Sequence, residues 1–117
     1  MKPSKSKPTA RHPLKPVEFL VLAVLQSELL HGYGIVQQIE DRSQGRVKVR
    51  PGDLYRVLYR LSQRGLIETA DPDARSSQDE RRNYYRITPL GEQVLRDEAS
   101  FLGQVASQVM AAGEASR

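Results

Sequence analysis

Cysteine and tryptophan are both absent from this 117-residue chain. Without cysteine there is no disulfide, no thiolate nucleophile and no cysteine-ligated zinc, a composition that fits a reducing compartment. Histidine is scarce too: His12 falls in a proline-rich start and His31 at the expected beginning of a helix. Two histidines so placed make neither a metal site nor a base–nucleophile pair, so no enzyme and no cofactor is predicted. His31 is expected to serve a helix start or face a phosphate. The longest apolar run, Phe19 to Leu25, is far too short to cross a bilayer, and the first residues lack the apolar centre of a signal peptide. The expectation is a cytoplasmic protein with no membrane partner.

Hydrophobic residues make up only 38% of the chain, but they gather in a few strongly patterned stretches. That predicts one small core, for which burial against a second subunit would be a natural supplement. Acid is missing from particular regions rather than from the whole, whose net charge is +4. Lys2, Lys5, Lys7, Arg11 and Lys15 stand without an acid in the first seventeen residues. Between 42 and 64, seven basic residues (Arg42, Arg46, Lys48, Arg50, Arg56, Arg60, Arg64) face the single acid Asp53. From Pro89 onward the sign reverses, with Glu92, Asp97, Glu98 and Glu114 against Arg96 and Arg117. A polyanionic partner is favoured, and the last segment lies outside its reach.

Four of the seven prolines (Pro3, Pro8, Pro13, Pro16) mark residues 1–15 as a flexible basic arm, incidental or phosphate-touching. Pro16 suits a first helical turn, and the apolar Val17–Leu25 stretch predicts a buried helix ending near Ser27. Tyr33, Ile35, Val36 and Ile39 place a second helix over about Gly32 to Arg42, ended by Gly45. The alternation in RVKVR up to Pro51 predicts an extended segment with room for a very short strand. Pro51 opens a third helix to about Arg64, closed by Gly65. LIETA and NYYRIT then read as short strands around the long loop DPDARSSQDERR. Thr88 as N-cap and Pro89 as first helical residue open a last helix to about Ala112, leaving 113–117 as a tail. Residues 16–88 therefore form one domain and 89–112 a separate helix: mainly α with a small β-hairpin wing, the order of a winged helix-turn-helix plus a C-terminal dimerisation helix.

On the third helix Leu54, Val57, Leu58 and Leu61 make one narrow apolar stripe. Gly52, Arg56, Tyr59, Arg60 and Gln63 cluster opposite it, with Tyr55 at the border. Arg56 and Arg60 can reach phosphates or guanine edges, Gln63 can pair with adenine, the tyrosines can meet a phosphate or thymine methyl, and Gly52 allows close backbone approach. Periodicity alone fits a solvated basic face equally well; the flanking Lys48, Arg50, Arg81 and Arg82 favour a face that reads double-stranded DNA. Arg75 is the weaker wing contact, because Asp71, Asp73, Asp79 and Glu80 offset the loop's arginines. On the last helix Val94, Leu95, Phe101, Leu102, Val105 and Val109 form a stripe suited to pairing with a second copy. The alternative is a winged-helix module whose basic face binds an acidic protein.

Together HGYGIVQQIE at 31–40, PGDLYRVLYRLSQRGLIE at 51–68 and YYRITPLGEQVL at 84–95 resemble the PadR family of bacterial transcription regulators, over most of the chain from about Pro16 to Leu102. The resemblance implies a winged-helix domain, a homodimer formed largely through the C-terminal helix, a palindromic operator, and repression relieved by a small-molecule effector. A single C-terminal helix places the chain with the short members. Two departures stand in the Pro-Gly-x-Leu-Tyr motif: Asp53, where the family often has Thr or Ser, and Arg56, where it often has Pro. Asp53 can cap free amides of the helix but repels a phosphate there, and Arg56 adds a donor, so no relative's operator preference transfers. Some short members use tryptophan in an interfacial pore; here Phe19 and Phe101 are the only aromatics besides tyrosines, and plain packing is the expected role of both.

Overall fold

The computed structural model describes residues 13–70 and 83–115. The elements in chain order are α1 (Pro16–Leu25), β1 (Leu30–His31), α2 (Gly32–Arg42), α3 (Pro51–Gln63), β2 (Ile67–Ala70), β3 (Tyr84–Ile87) and α4 (Pro89–Ala115). Residues 1–12 of the basic arm, the loop 71–82 with Arg75, Arg81 and Arg82, and the last two residues lie outside the described residues.

Two residues expected in the arm belong to the folded domain: Leu14 is buried in the core and Lys15 is the N-cap residue of α1. Val21, Leu22, Val24 and Leu25 of α1 are buried against Ile35 and Ile39 of α2 and Leu54, Val57, Leu58 and Leu61 of α3. The helix stops at Leu25, where Gln26 turns back to the Ala23 carbonyl, rather than near Ser27. RVKVR keeps its alternation, with Val47 and Val49 packed on the core and Lys48 and Arg50 exposed, but forms no strand. The third strand comes instead from Leu30–His31, which pairs antiparallel with β3 and gives the sheet order β1-β3-β2. On the other side β2 pairs with β3 from Ile67↔Ile87 to Ala70↔Tyr84, placing Glu68 opposite Arg86 in a 2.8 Å ion pair.

The turn between α3 and β2 is a Schellman closure: Leu66 N–H donates to Leu61 O at 3.0 Å and Gly65 N–H to Ser62 O at 2.9 Å. It needs Gly65 at φ +77°, where a side chain is strained. Thr88 docks on this turn, its N–H donating to Leu66 O and its hydroxyl to Gly65 O at 2.7 Å. The same hydroxyl caps α4 by accepting from Gly91 N–H at 3.0 Å. Gly91 packs so closely that a Cβ there would lie 2.1 Å from Leu66 O.

That close approach divides α4, which at 27 residues spans about 40 Å. Its first two turns sit on the domain and bury Gly91, Val94 and Leu95, whereas from Ala99 to Ala115 every residue is exposed. Val94 and Leu95, expected on the dimer stripe, are therefore corrected to this subunit's own core, at 7% and 4% exposure. Phe101, Leu102, Val105, Val109 and also Met110 remain outward. The helix runs to Ala115 rather than Ala112.

Candidate nucleic-acid interface

The third helix separates its two jobs by burial. Leu54, Val57, Leu58 and Leu61 are buried, while Gly52, Tyr55, Arg56, Tyr59, Arg60 and Gln63 are exposed. Lys48 and Arg50 lie exposed in the extended segment that leads into Pro51, so their charge adds to the N-terminal end of the helix. At that end Arg50 is the N-cap residue and contributes no side-chain acceptor, and Pro51 has no N–H. The amides of Gly52 and Asp53 thus receive nothing from the capping residue, the arrangement in which a helix start offers donors to an anion.

The tyrosines of this face differ. Tyr59 is 65% exposed and stands clear, whereas Tyr55 leans over the start of α2: its hydroxyl lies 2.9 Å from where a Cβ on Gly32 would sit. Gly32 therefore makes room for the crossing of α2 and α3. His31 caps α2 through Nδ1, which accepts from Gly34 N–H at 3.2 Å, and its ring meets Tyr84 edge-on at 5.2 Å. The helix-start role expected of His31 is the one it performs.

Two carboxylates hold the arginines of the face. Asp53 pairs with Arg56 one turn on, both side chains more than half exposed. Arg60 reaches across to α1, where Nε lies 3.5 Å from Glu18 Oε2, and Arg64 Nη1 lies 4.0 Å from Oε1. Glu18 is a functional candidate that sequence reasoning missed. It is the only acid in α1, at its N3 position, where its Oε1 also accepts from Lys15 N–H at 2.8 Å. A lone acid in an apolar run was the available signal. Nearby, Tyr85 titrates above its ordinary range, because burial desolvates the phenolate and Tyr55 adds to the effect, while a hydrogen bond with Asn83 opposes it. Among the described residues no group of acids and histidines is placed to hold a metal ion, and no helix is long and apolar enough to cross a membrane.

Three short helices, a three-stranded antiparallel sheet and an outward basic helix face define a winged-helix DNA-binding regulator. Residues 21–97 match the model of the transcriptional regulator PadR-like family. The chain belongs to that family, whose members are transcriptional regulators and not enzymes. It is 31% identical over 81 residues to an uncharacterized protein of Lysinibacillus sphaericus, covering 69% of this chain and 72% of that one. A PadR family transcriptional regulator from Eggerthella lenta superposes with a TM-score of 0.70 at 26% identity, covering 95% of this chain and 90% of that chain. A PadR-like regulator from Bacillus cereus gives 0.68 at 24% identity, with 82% of this chain and 89% of the other covered, a likeness of fold.

Proposed function

We propose that the chain is a homodimeric repressor that reads a palindromic operator with the outward face of α3. The observation that carries this reading is the split of α3 into a buried leucine–valine stripe and an exposed face of Gly52, Tyr55, Arg56, Tyr59, Arg60 and Gln63. The major groove, about 12 Å wide, admits one helix presenting such a face. Arg56, Arg60 and Gln63 are the base-reading residues; Lys48, Arg50 and, from the wing, Arg81 and Arg82 hold phosphates. Phe101, Leu102, Val105 and Val109 form the dimer interface, since these large apolar side chains are exposed along the second half of α4. A twofold pair of α3 helices entering successive major grooves, about 34–36 Å apart, makes the operator an inverted repeat. A small-molecule effector would act by changing the relation of the two α3 helices, and the site of action is the cytoplasm, where the DNA is.

Binding to duplexes selected from a random-sequence pool, measured by fluorescence anisotropy across a salt series, tests this. The expected result is an inverted-repeat consensus and affinity that falls steeply with salt as counterions are released. Affinity for the selected duplex no greater than for random duplex would refute sequence-specific reading. A basic face serving an acidic protein would give that outcome.

A further inference from the structure

Glu18 is an anomaly of charge placement. Its side chain is 5% exposed, at the start of the helix that contributes most to the core, and a buried carboxylate is costly unless cations and donors surround it. What surrounds it comes from two directions. Lys15 N–H at the N-cap of the same helix holds Oε1, and Arg60 of α3 and Arg64 just past its end approach from the other side, 42 residues further along the chain in the case of Arg60. The two oxygens have different duties: Oε1 serves the backbone and faces Arg64, while Oε2 faces Arg60 Nε.

Arg60 is the partner that matters for recognition, because its side chain is 45% exposed on the outward face. A guanidinium has five donors in a rigid fork, and only Nε is turned to Glu18. That contact does not use the two Nη groups, and an end-on pair of Nη donors matches the O6 and N7 acceptors of guanine. Anchoring Nε at its protein side thus selects the orientation in which the fork is presented. Arg56 differs: its partner Asp53 is on the same exposed face, where an ion pair is screened and readily exchanged for a phosphate.

Resting on the reading of α3 as the base-contacting helix, we propose that Glu18 is a specificity-determining positioning residue. From inside the domain it orients Arg60, so that α1 takes part in base selection without touching DNA. Lysine at position 60 cannot substitute, because a single ammonium cannot meet Glu18 and a base pair as a fork does.

The test is selection of random-sequence duplexes by the full chain and by its Glu18→Gln, Glu18→Met, Arg60→Ala and Glu18→Gln/Arg60→Ala variants, below the lowest melting temperature of the set. Glutamine keeps the acceptor for Lys15 N–H and removes the charge. Methionine fills the volume with no polar group to satisfy and carries the test if the glutamine variant melts early. Arg60→Ala is expected to lose preference at one position of each half-site, by about 5- to 150-fold, the range of a lost base-pair contact. Glu18→Gln is expected to lose preference at that same position, to keep affinity for random duplex within about twofold, and to add nothing in the double variant. Undiminished preference at that position in both Glu18 variants, with Arg60→Ala defective, overturns the role of Glu18 alone. Loss of no base preference by Arg60→Ala overturns the reading of α3 at this residue and Glu18 with it.

Discussion

Leu95, Leu102 and Val109 repeat every seven residues along α4, yet the structure assigns them different work, and paired truncations separate the two roles. Leu95 is 4% exposed within its own subunit, so Leu95→Ala opens a cavity in the core and should cost about 2–5 kcal/mol of unfolding free energy. Leu102 is 41% exposed, and in an isolated subunit Leu102→Ala should cost less than about 0.5 kcal/mol. If α4 pairs with a second copy, four exposed apolar side chains per subunit (Phe101, Leu102, Val105, Val109) enter the interface. Each gains roughly 1 kcal/mol, since full burial brings about 1.5–3 kcal/mol and each is already part-covered. The resulting gross gain near 8 kcal/mol per dimer is comparable to the association cost of about 4–15 kcal/mol, so the contact is finely balanced. A double Leu102→Asp/Val105→Asp variant, burying four charges per dimer, should therefore be monomeric at micromolar concentration. Sedimentation equilibrium gives the mass, and urea melts at two protein concentrations separate subunit stability from association. A folded double-aspartate variant with the mass of the unaltered protein, or a concentration-independent Leu102→Ala loss equal to that of Leu95→Ala, would refute the division.

An Arg56→Ala/Arg60→Ala variant should remain folded and lose about 1–3 kcal/mol of operator binding per guanine contact, with a shallower salt slope; unchanged operator affinity in anisotropy titrations would count against the face. Gly91→Ala should destabilise the domain by about 1–3 kcal/mol or more, because the new methyl meets the Leu66 carbonyl, a backbone atom that cannot swing aside; a melt matching the unaltered protein would contradict the close approach. For Tyr85 the raised pKa means that the native state retains its phenol proton at a pH where the unfolded chain has lost it. The stabilisation is complete below the unfolded value of 10.0 and declines as pH rises through the folded one, so stability should fall above about pH 10 less steeply in Tyr85→Phe.

Legibility in the sequence followed periodicity and punctuation. The stripe Leu54, Val57, Leu58 and Leu61 and the punctuation by Pro51, Gly65, Thr88 and Pro89 are local signals, and each corresponds to an observed packing face, turn or cap. The two-residue strand Leu30–His31 was not legible, because its existence depends on β3 lying alongside and two residues carry no alternation. Leu95 was misassigned for a related reason. A heptad spacing reports one face of a helix but not what covers it, and here the cover changes from the domain core to solvent partway along that face. Glu18 was missed because its meaning lies in Arg60 and Arg64, which are distant in sequence.

The position of the Schellman turn has a mechanical consequence. The turn ends α3, and the same few atoms begin α4: Leu66 O accepts from Thr88 N–H, Gly65 O accepts from the Thr88 hydroxyl, and Gly91 lies against Leu66 with no intervening side chain. A contact through a long flexible side chain could yield when α4 tilts, whereas here a backbone hydrogen bond, a second bond from the short Thr88 hydroxyl and the close approach of Gly91 would have to be disturbed. Near the same end of α3, Glu18 ties Arg60 to α1, which also packs on α4. If α4 pairs with a second copy as proposed, angular change at that pair is expected to reach the outward face of α3 through these contacts. In a twofold dimer a small tilt at the pairing helices alters the separation of the two reading helices. Since half-site spacing is fixed by the DNA turn, a changed separation should weaken binding to an inverted-repeat operator of the kind proposed.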